Sequence, residues 1–166
     1  MVQTKYVVDT TILVSWLLDP GKLTGKIVKS LELELSTPYK GVDELWEHRT
    51  EWTKRRPDFD FRAFTNQIGY YVRTAMTKEY THKMSEAKSI MDPIDPEDAE
   101  FLALAMAHGL PVWSHDPHFK KQSKVRVVTS ADILRQSVDL PPLWEALQEE
   151  YFKWENTLQG RQAEDS

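Results

Sequence analysis

The sequence predicts an α/β fold in which helices cover both faces of a mainly parallel sheet. Three observations lead to this prediction. Short β-branched and aromatic runs, typical of buried strands, occur at residues 5–9, 35–37, 112–114 and 125–129. Stretches with apolar residues at helical spacing separate most of these runs. Strands that alternate with helices pair in parallel and are buried on both faces.

The elements of the first half share clear stop signals. We predict a strand at 5–9, helices at 12–18 and 24–33, a strand at 35–37, and helices at 42–54, 60–76 and 78–91. Asp19-Pro20-Gly21 ends the first helix, and Pro38 ends the second strand.

The second half begins with a strong helix start at Asp95-Pro96-Glu97-Asp98, because Asp95 can cap and Pro96 fits the first helical position. Gly109 ends this helix. Strands at 112–114 and 125–129, a helix at 130–134 and a last helix at 143–158 follow. We expect one domain over residues 1–142, and a C-terminal helix and polar tail over 143–166 that packs on it or extends from it.

Composition narrows the function classes. The chain has 166 residues and no cysteine, which excludes disulfides, thiolate zinc sites and cysteine nucleophiles. No apolar run approaches the roughly 20 residues of a membrane helix, and no signal peptide is recognisable, so we expect a cytoplasmic protein without membrane contact. The net charge of −5 argues against a non-specific nucleic-acid binder, although bound cations can cancel acidic ligands locally.

Four acids fall where a parallel sheet would bring them together. Asp9 and Asp116 end strands, Asp98 lies in the first turn of a helix, and Glu44 lies near the start of another. Ligands of parallel α/β sheets bind at the carboxyl ends of the strands. Four converging carboxylates repel one another unless cations neutralise them, and oxygen ligands favour Mg²⁺ or Mn²⁺. The pattern therefore predicts a divalent-metal site.

Each acid also has a structural interpretation, as a helix cap, a turn residue or a solvated surface residue. Asp98 can be the capping-box partner of Asp95, and Asp95 can replace Asp98 as the ligand. Glu44 shares a polar helix face with Glu47, so helical periodicity alone does not choose between them.

The segments that carry these acids resemble the PIN-domain nucleases. They are VVDTTILVS at 7–15, TPYKGVDELWEHR at 37–49, DPEDAEFLALA at 95–105 and PVWSHD at 111–116. VVTSADIL at 127–134 resembles the closing strand and helix of the family. The resemblance spans most of residues 5–135 and implies a PIN-like three-layer sandwich, with a mainly parallel central sheet flanked by helices.

The resemblance also implies roles for individual residues. It assigns catalytic and metal-binding roles to four acids: Asp9, Glu44, Asp98 and Asp116. Ser114 matches a small hydroxyl residue that supports the last aspartate. Thr11 stands where the family often has asparagine and can still donate a hydrogen bond. Lys120 and Lys121, which follow the last acid, are expected to bind the substrate backbone.

The function implied is metal-dependent hydrolysis of RNA phosphodiester bonds by an endoribonuclease that uses Mg²⁺ or Mn²⁺. Many prokaryotic members are toxins of toxin–antitoxin pairs, which would make an antitoxin protein the partner. The alternative is a non-catalytic RNA-binding or adaptor module of the same fold. The aromatic residues Trp144, Tyr151 and Trp154 either dock the last helix on the domain or form the surface of a homodimer or another complex.

Overall fold

The computed structural model describes residues 2–164, with side chains up to residue 158. Within this part of the chain, nine α-helices surround a sheet of five parallel strands. The strands are β1 (Lys5–Val8), β2 (Glu34–Pro38), β3 (Val72–Ala75), β4 (Val112–Trp113) and β5 (Val127–Val128). The helices are α1 (Thr10–Leu18), α2 (Leu23–Lys29), α3 (Tyr39–Glu47), α4 (Arg49–Arg55), α5 (Phe61–Tyr71), α6 (Thr81–Met91), α7 (Ala99–His108), α8 (Ser130–Gln136) and α9 (Pro141–Glu164).

The strand order places β1 at the centre of the sheet. Across the sheet the order is β3-β2-β1-β4-β5. The chain moves outward from β1 to β3 and then returns to the other side of β1 to form β4 and β5. Such a reversal opens a crevice at the carboxyl ends of the two strands where the direction changes. The crevice therefore lies beyond the ends of β1 and β4.

Both faces of β1 are buried, which gives the molecule three layers. Tyr6 and Val8 belong to one core cluster, together with Trp16 of α1. Val7 belongs to the other cluster, together with Phe101 of α7. Successive side chains of a strand point to opposite faces, so the unbroken apolar run of β1 reflects helices on both sides. The predicted α/β sandwich is confirmed.

Strand β3 corrects the prediction of one helix over 60–76. Helix α5 ends at Tyr71, and β3 begins at the next residue. Val72 and Ala75 are buried three positions apart, a spacing that also fits a helix. Pairing with β2, in which Val72 lies opposite Leu35, decides in favour of the strand.

Two other boundaries differ from the predictions. The helix predicted at 42–54 is two helices, α3 and α4, separated at His48, which has non-helical φ and ψ of −99° and 16°. Helix α9 begins at Pro141, and Leu143 and Leu147 of this helix are buried in the core. Gly109 ends α7 in the left-handed conformation, as predicted. Among residues 2–164, no helix is both long and apolar enough to cross a membrane.

Candidate metal centre

Asp9 follows β1 directly and lies buried at the edge of the crevice, with 2% of its surface exposed. It caps α1, because its Oδ1 accepts a hydrogen bond from the backbone N–H of Ile12 at 3.3 Å. Thr11 donates to the same oxygen at 2.5 Å, and the Ser114 hydroxyl donates to Oδ2. Asp9 is therefore a helix cap and is also held in a fixed orientation beside the crevice.

The two hydroxyl residues also fix the loop that follows β4. Ser114 Oγ accepts from the backbone N–H of Asp116 at 3.0 Å, and Thr11 Oγ1 accepts from the backbone N–H of His115 at 2.9 Å. Asp116 begins a 3₁₀ turn at Pro117–Lys121 and accepts a 2.9 Å hydrogen bond from the His118 backbone. Ser114 thus connects the acid after β1 to the acid after β4.

The acids at the start of α7 lie on a separate 3₁₀ turn, Pro96–Asp98. Asp95 caps this turn through a 3.1 Å hydrogen bond from the Glu97 N–H. Asp98 closes no capping box: its Oδ2 is buried and has no hydrogen-bond partner in the described part of the chain. One carboxylate oxygen each of Asp95, Asp98 and Asp116 lies within 4.8 Å of the other two.

Glu44 approaches the same crevice from α3. Its Oε2 accepts a 2.5 Å hydrogen bond from the Thr10 hydroxyl, whereas Glu47 is exposed to solvent. Glu44 therefore lines the cleft, and Glu47 does not. The crevice is a cleft of about 420 Å³ that all four predicted acids line, and its walls are Asp9, Thr10, Thr11, Val14, Glu44, His48, Trp52, Asp95, Glu97, Asp98 and Asp116.

The cleft disfavours ionised acids. Burial, followed by the negative charges of the neighbouring carboxylates, of which Asp95 contributes most, raises the pKa of Asp98 to about 7. Burial also raises the pKa of Asp9 to about 6, against the hydrogen bonds from Ser114 and Thr11 that favour its charged form. Burial likewise raises the pKa of Glu44. Ionisation of these three acids is therefore unfavourable unless a cation enters the cleft.

These residues fit a divalent cation. The donors are carboxylate oxygens, which hard cations such as Mg²⁺ and Mn²⁺ prefer. Within residues 2–158, whose side chains are described, Oδ2 of Asp98 is buried without a hydrogen-bond partner, and such an oxygen needs either a proton or a cation. Both Asp95 and Asp98 are placed to be ligands, so the alternative left open by the sequence stays open.

Lys40 and Glu97 were missed by the sequence reasoning. The Lys40 ammonium donates to the backbone carbonyl and to Oε2 of Glu97, both at 2.8 Å, and lies 3.9 Å from Oε1 of Glu44. The spacing of Lys40 and Glu44, four residues apart on one helix, was the available signal. Lys120 and Lys121 lie exposed on the turn after Asp116 and do not line the cleft.

Comparisons with known proteins agree with this fold. The crystal structure of VapBC2 from Rickettsia felis bound to a DNA fragment from its promoter is similar, with a TM-score of 0.61 and 11% sequence identity. The similarity covers 75% of this chain and 98% of the matched chain. No curated protein sequence matches the chain. The family model of the PIN domain matches residues 7–139, a segment that contains every acid of the cleft. The chain therefore belongs to the PIN-domain family, whose members are generally nucleases.

Proposed function

We propose that the protein is an endoribonuclease that hydrolyses RNA phosphodiester bonds with Mg²⁺ or Mn²⁺. One observation carries the proposal: acids from four separate segments meet in one cleft, where a buried oxygen of Asp98 has no hydrogen-bond partner among the described residues. Burying uncompensated carboxylates destabilises a fold, so their presence needs a functional reason. A cation-dependent site supplies that reason.

The metal-binding residues proposed are Asp9, Glu44, Asp98 and Asp116, with Asp95 as the alternative to Asp98. A divalent ion bound there would polarise the phosphodiester and lower the pKa of a coordinated water. Ser114 and Thr11 hold Asp9 in place through hydrogen bonds to its two oxygens, one to each. Because these hydroxyl groups already fix the carboxylate, Asp9 does not need to reorient when a ligand binds. In the net reaction, water adds OH to phosphorus and the departing 3′-oxygen gains a proton.

RNA is the proposed substrate because the family resemblance points to it, and exposed cations near the cleft support binding of a phosphate backbone. Lys120 and Lys121 belong to the turn that begins at Asp116, one of the cleft acids. Lysines so placed can contact phosphates on either side of the cleaved bond. They supply local positive charge on this turn, although the net charge of the whole chain is −5.

We also propose that the protein is the toxin of a toxin–antitoxin pair. The similar structure contains VapBC2 with promoter DNA, and a protein partner that covers the cleft would hold the nuclease inactive. A homodimer through α9 is a further proposal, because Phe152 is 51% exposed beside the aromatic residues Trp144 and Tyr151. Size measurement with and without a co-expressed neighbouring reading frame tests both partners.

The alternative is a non-catalytic RNA-binding or adaptor module. The complete set of cleft acids argues against it, because carboxylates without a cation repel a phosphate backbone.

Cleavage of a mixed single-stranded RNA pool tests the proposal. The assay compares Mg²⁺, Mn²⁺ and EDTA for the wild type, Asp9→Asn and Asp116→Asn, with a DNA pool of the same sequences beside it. The exposed Asp92, at the end of α6, gives a matched control as Asp92→Asn. We expect cleavage of RNA that needs the metal and both cleft acids but not Asp92. Metal-independent cleavage, or wild-type activity in either cleft variant, would contradict the assignment.

A further inference from the structure

Lys40 lies at the border of the acidic cluster and is mostly shielded from solvent. Its side chain is 24% exposed, and its ammonium lies 3.9 Å from Oε1 of Glu44. Among the salt bridges of the described residues, Lys40 supplies the lysine or arginine contact to the proposed ligands, while Asp116 pairs with His118. Lys40 is not itself among the residues that line the cleft, but its ammonium contacts two that are, Glu44 and Glu97.

The side chain of Glu97 is the more exposed of the two acidic partners of Lys40. Glu97 accepts a 2.8 Å hydrogen bond from the ammonium, but its side chain is 77% exposed. Ion pairs with such an exposed partner contribute little to stability, because water screens the charges and ordering the side chains has an entropic cost. Glu97 can therefore exchange for another anion.

Helix α3 fixes where Lys40 can reach. Lys40 lies in the first turn of α3, and Glu44 lies one turn later on the same face. The Cβ of Lys40 is thus held by the same helix that positions a proposed metal ligand. The flexible side chain can move its ammonium between neighbouring anions without a change in the backbone.

We propose that Lys40 is a substrate-binding residue that contacts a non-bridging oxygen of the phosphate at the metal centre. The inference rests on the proposed function and extends it to a residue that the acid pattern does not include. In the free protein, the ammonium pairs with Glu97 and faces Glu44. On substrate binding, it exchanges Glu97 for the phosphate and compensates part of its negative charge.

A purely structural role makes a different prediction. If Lys40 only fastened α3 to the turn Pro96–Asp98, then Lys40→Met would loosen this turn, which ends at Asp98, and Mn²⁺ affinity would fall together with RNA affinity. Glu97→Gln does not break this connection, because the Lys40 ammonium also donates to the Glu97 backbone carbonyl. A substrate contact predicts instead that Lys40→Met loses RNA affinity and retains Mn²⁺ affinity.

The experiment compares Lys40→Met, Glu97→Gln and Lys22→Met. Lys22 is a control of equal charge. It lies beyond the C-terminal end of α1, whereas the cleft lies at the N-terminal end of that helix. Anisotropy of a fluorescein-labelled single-stranded RNA, with Ca²⁺ in place of the reactive metal, measures binding between 50 and 200 mM salt. Calorimetric titration with Mn²⁺ in the absence of RNA measures the metal site, and cleavage in Mn²⁺ gives kcat and KM.

We expect Lys40→Met to weaken RNA binding about tenfold and to reduce the salt slope by about 1, as for one lost phosphate contact. KM should rise more than kcat falls. Mn²⁺ affinity should stay the same or increase, because a positive charge beside Glu44 has been removed. Glu97→Gln and Lys22→Met should retain RNA binding, the former because it frees Lys40.

A loss of Mn²⁺ affinity that accompanies the loss of RNA affinity in Lys40→Met, or unchanged RNA binding in this variant, would overturn the role of Lys40. The readouts also separate this inference from the proposed function. Lys40-dependent RNA binding without metal-dependent cleavage would refute the nuclease and retain the phosphate contact. Metal-dependent cleavage and RNA binding that are unchanged in Lys40→Met would retain the nuclease and refute the phosphate contact.

Discussion

Replacing Asp9 by asparagine is expected to stabilise the metal-free protein at pH 8 while it removes the response to metal. Asp9 is 2% exposed, and its burial raises its pKa from 3.8 to about 6. Its ionisation in the folded protein is therefore unfavourable relative to the unfolded chain. Asparagine has nearly the same shape and no charge. Its amide can still form hydrogen bonds at the positions of both carboxylate oxygens.

The sign and size of the effect follow from linkage. Between pH 4 and pH 6 the folded protein holds a proton on Asp9 that the unfolded chain has released, so its stability falls as the pH rises. A pKa difference of about 2 units corresponds to about 3 kcal/mol, which is fully developed above pH 7. Below pH 4 both states are protonated and the contribution vanishes. The free energy of unfolding of the variant, relative to the wild type, should increase by about this amount between pH 4 and pH 8.

Thermal unfolding in EDTA at several pH values measures this difference, with Asp92→Asn as the control for loss of one exposed charge. For a protein of this size, each kcal/mol shifts Tm by roughly 2–4 °C. The experiment is then repeated with Mn²⁺. A ligand at 100 times its Kd stabilises the folded state by about 2.7 kcal/mol, so the metal should raise the Tm of the wild type and leave Asp9→Asn nearly unchanged.

Two results would refute this reasoning. A difference between Asp9→Asn and the wild type that stays constant from pH 4 to pH 8 would mean that burial does not raise the pKa of Asp9. An equal Mn²⁺-induced rise in Tm for both proteins would mean that Asp9 does not hold the ion. The pH series therefore tests the electrostatics of the cleft, and the metal series tests its occupant.

Four further substitutions test the packing of the domain and the support of Asp9. Gly25→Ala should destabilise the protein by about 1–3 kcal/mol despite the better helix propensity of alanine, because the new Cβ would lie 2.3 Å from the Pro20 carbonyl oxygen. In Gly69→Ala the new Cβ would have no atom of the described residues within 4 Å, so this substitution in α5 should stabilise the protein by about 0.5–1 kcal/mol. Urea unfolding measures both changes. The side chain of Leu147 in α9 is fully buried, so Leu147→Ala should lower the free energy of unfolding by roughly 2–5 kcal/mol if α9 belongs to the domain core. A change below about 0.5 kcal/mol would place α9 outside the folding unit. Ser114→Ala leaves the buried acid after β1 without one donor and should weaken Mn²⁺ binding about 10- to 100-fold, measured by calorimetry, whereas unchanged affinity would contradict its positioning role.

The sequence could place candidate acids at the starts and ends of elements because strong local signals lie beside them. Asp9 follows a run of β-branched and aromatic residues, and Asp95-Pro96 marks the start of a helical region. These signals depend only on neighbouring residues. They could not identify β3, because Val72–Ala75 follows α5 without a turn and is a strand through its pairing with β2. They also did not reveal the break at His48 between α3 and α4.

The sequence by itself determined which acids stand at the ends of strands and helices, because local propensity fixes where each element begins and ends. Only the tertiary structure decided which of those acids share a cleft. Hydrogen bonding between distant segments places β1 beside β4, and this pairing brings Ser114 within reach of Asp9. The same packing directs Glu44 inward, leaves Glu47 in solvent and sets Lys40 at the border of the acids. Contacts between residues far apart in the chain decide these positions, because no local pattern encodes the order of strands in a sheet.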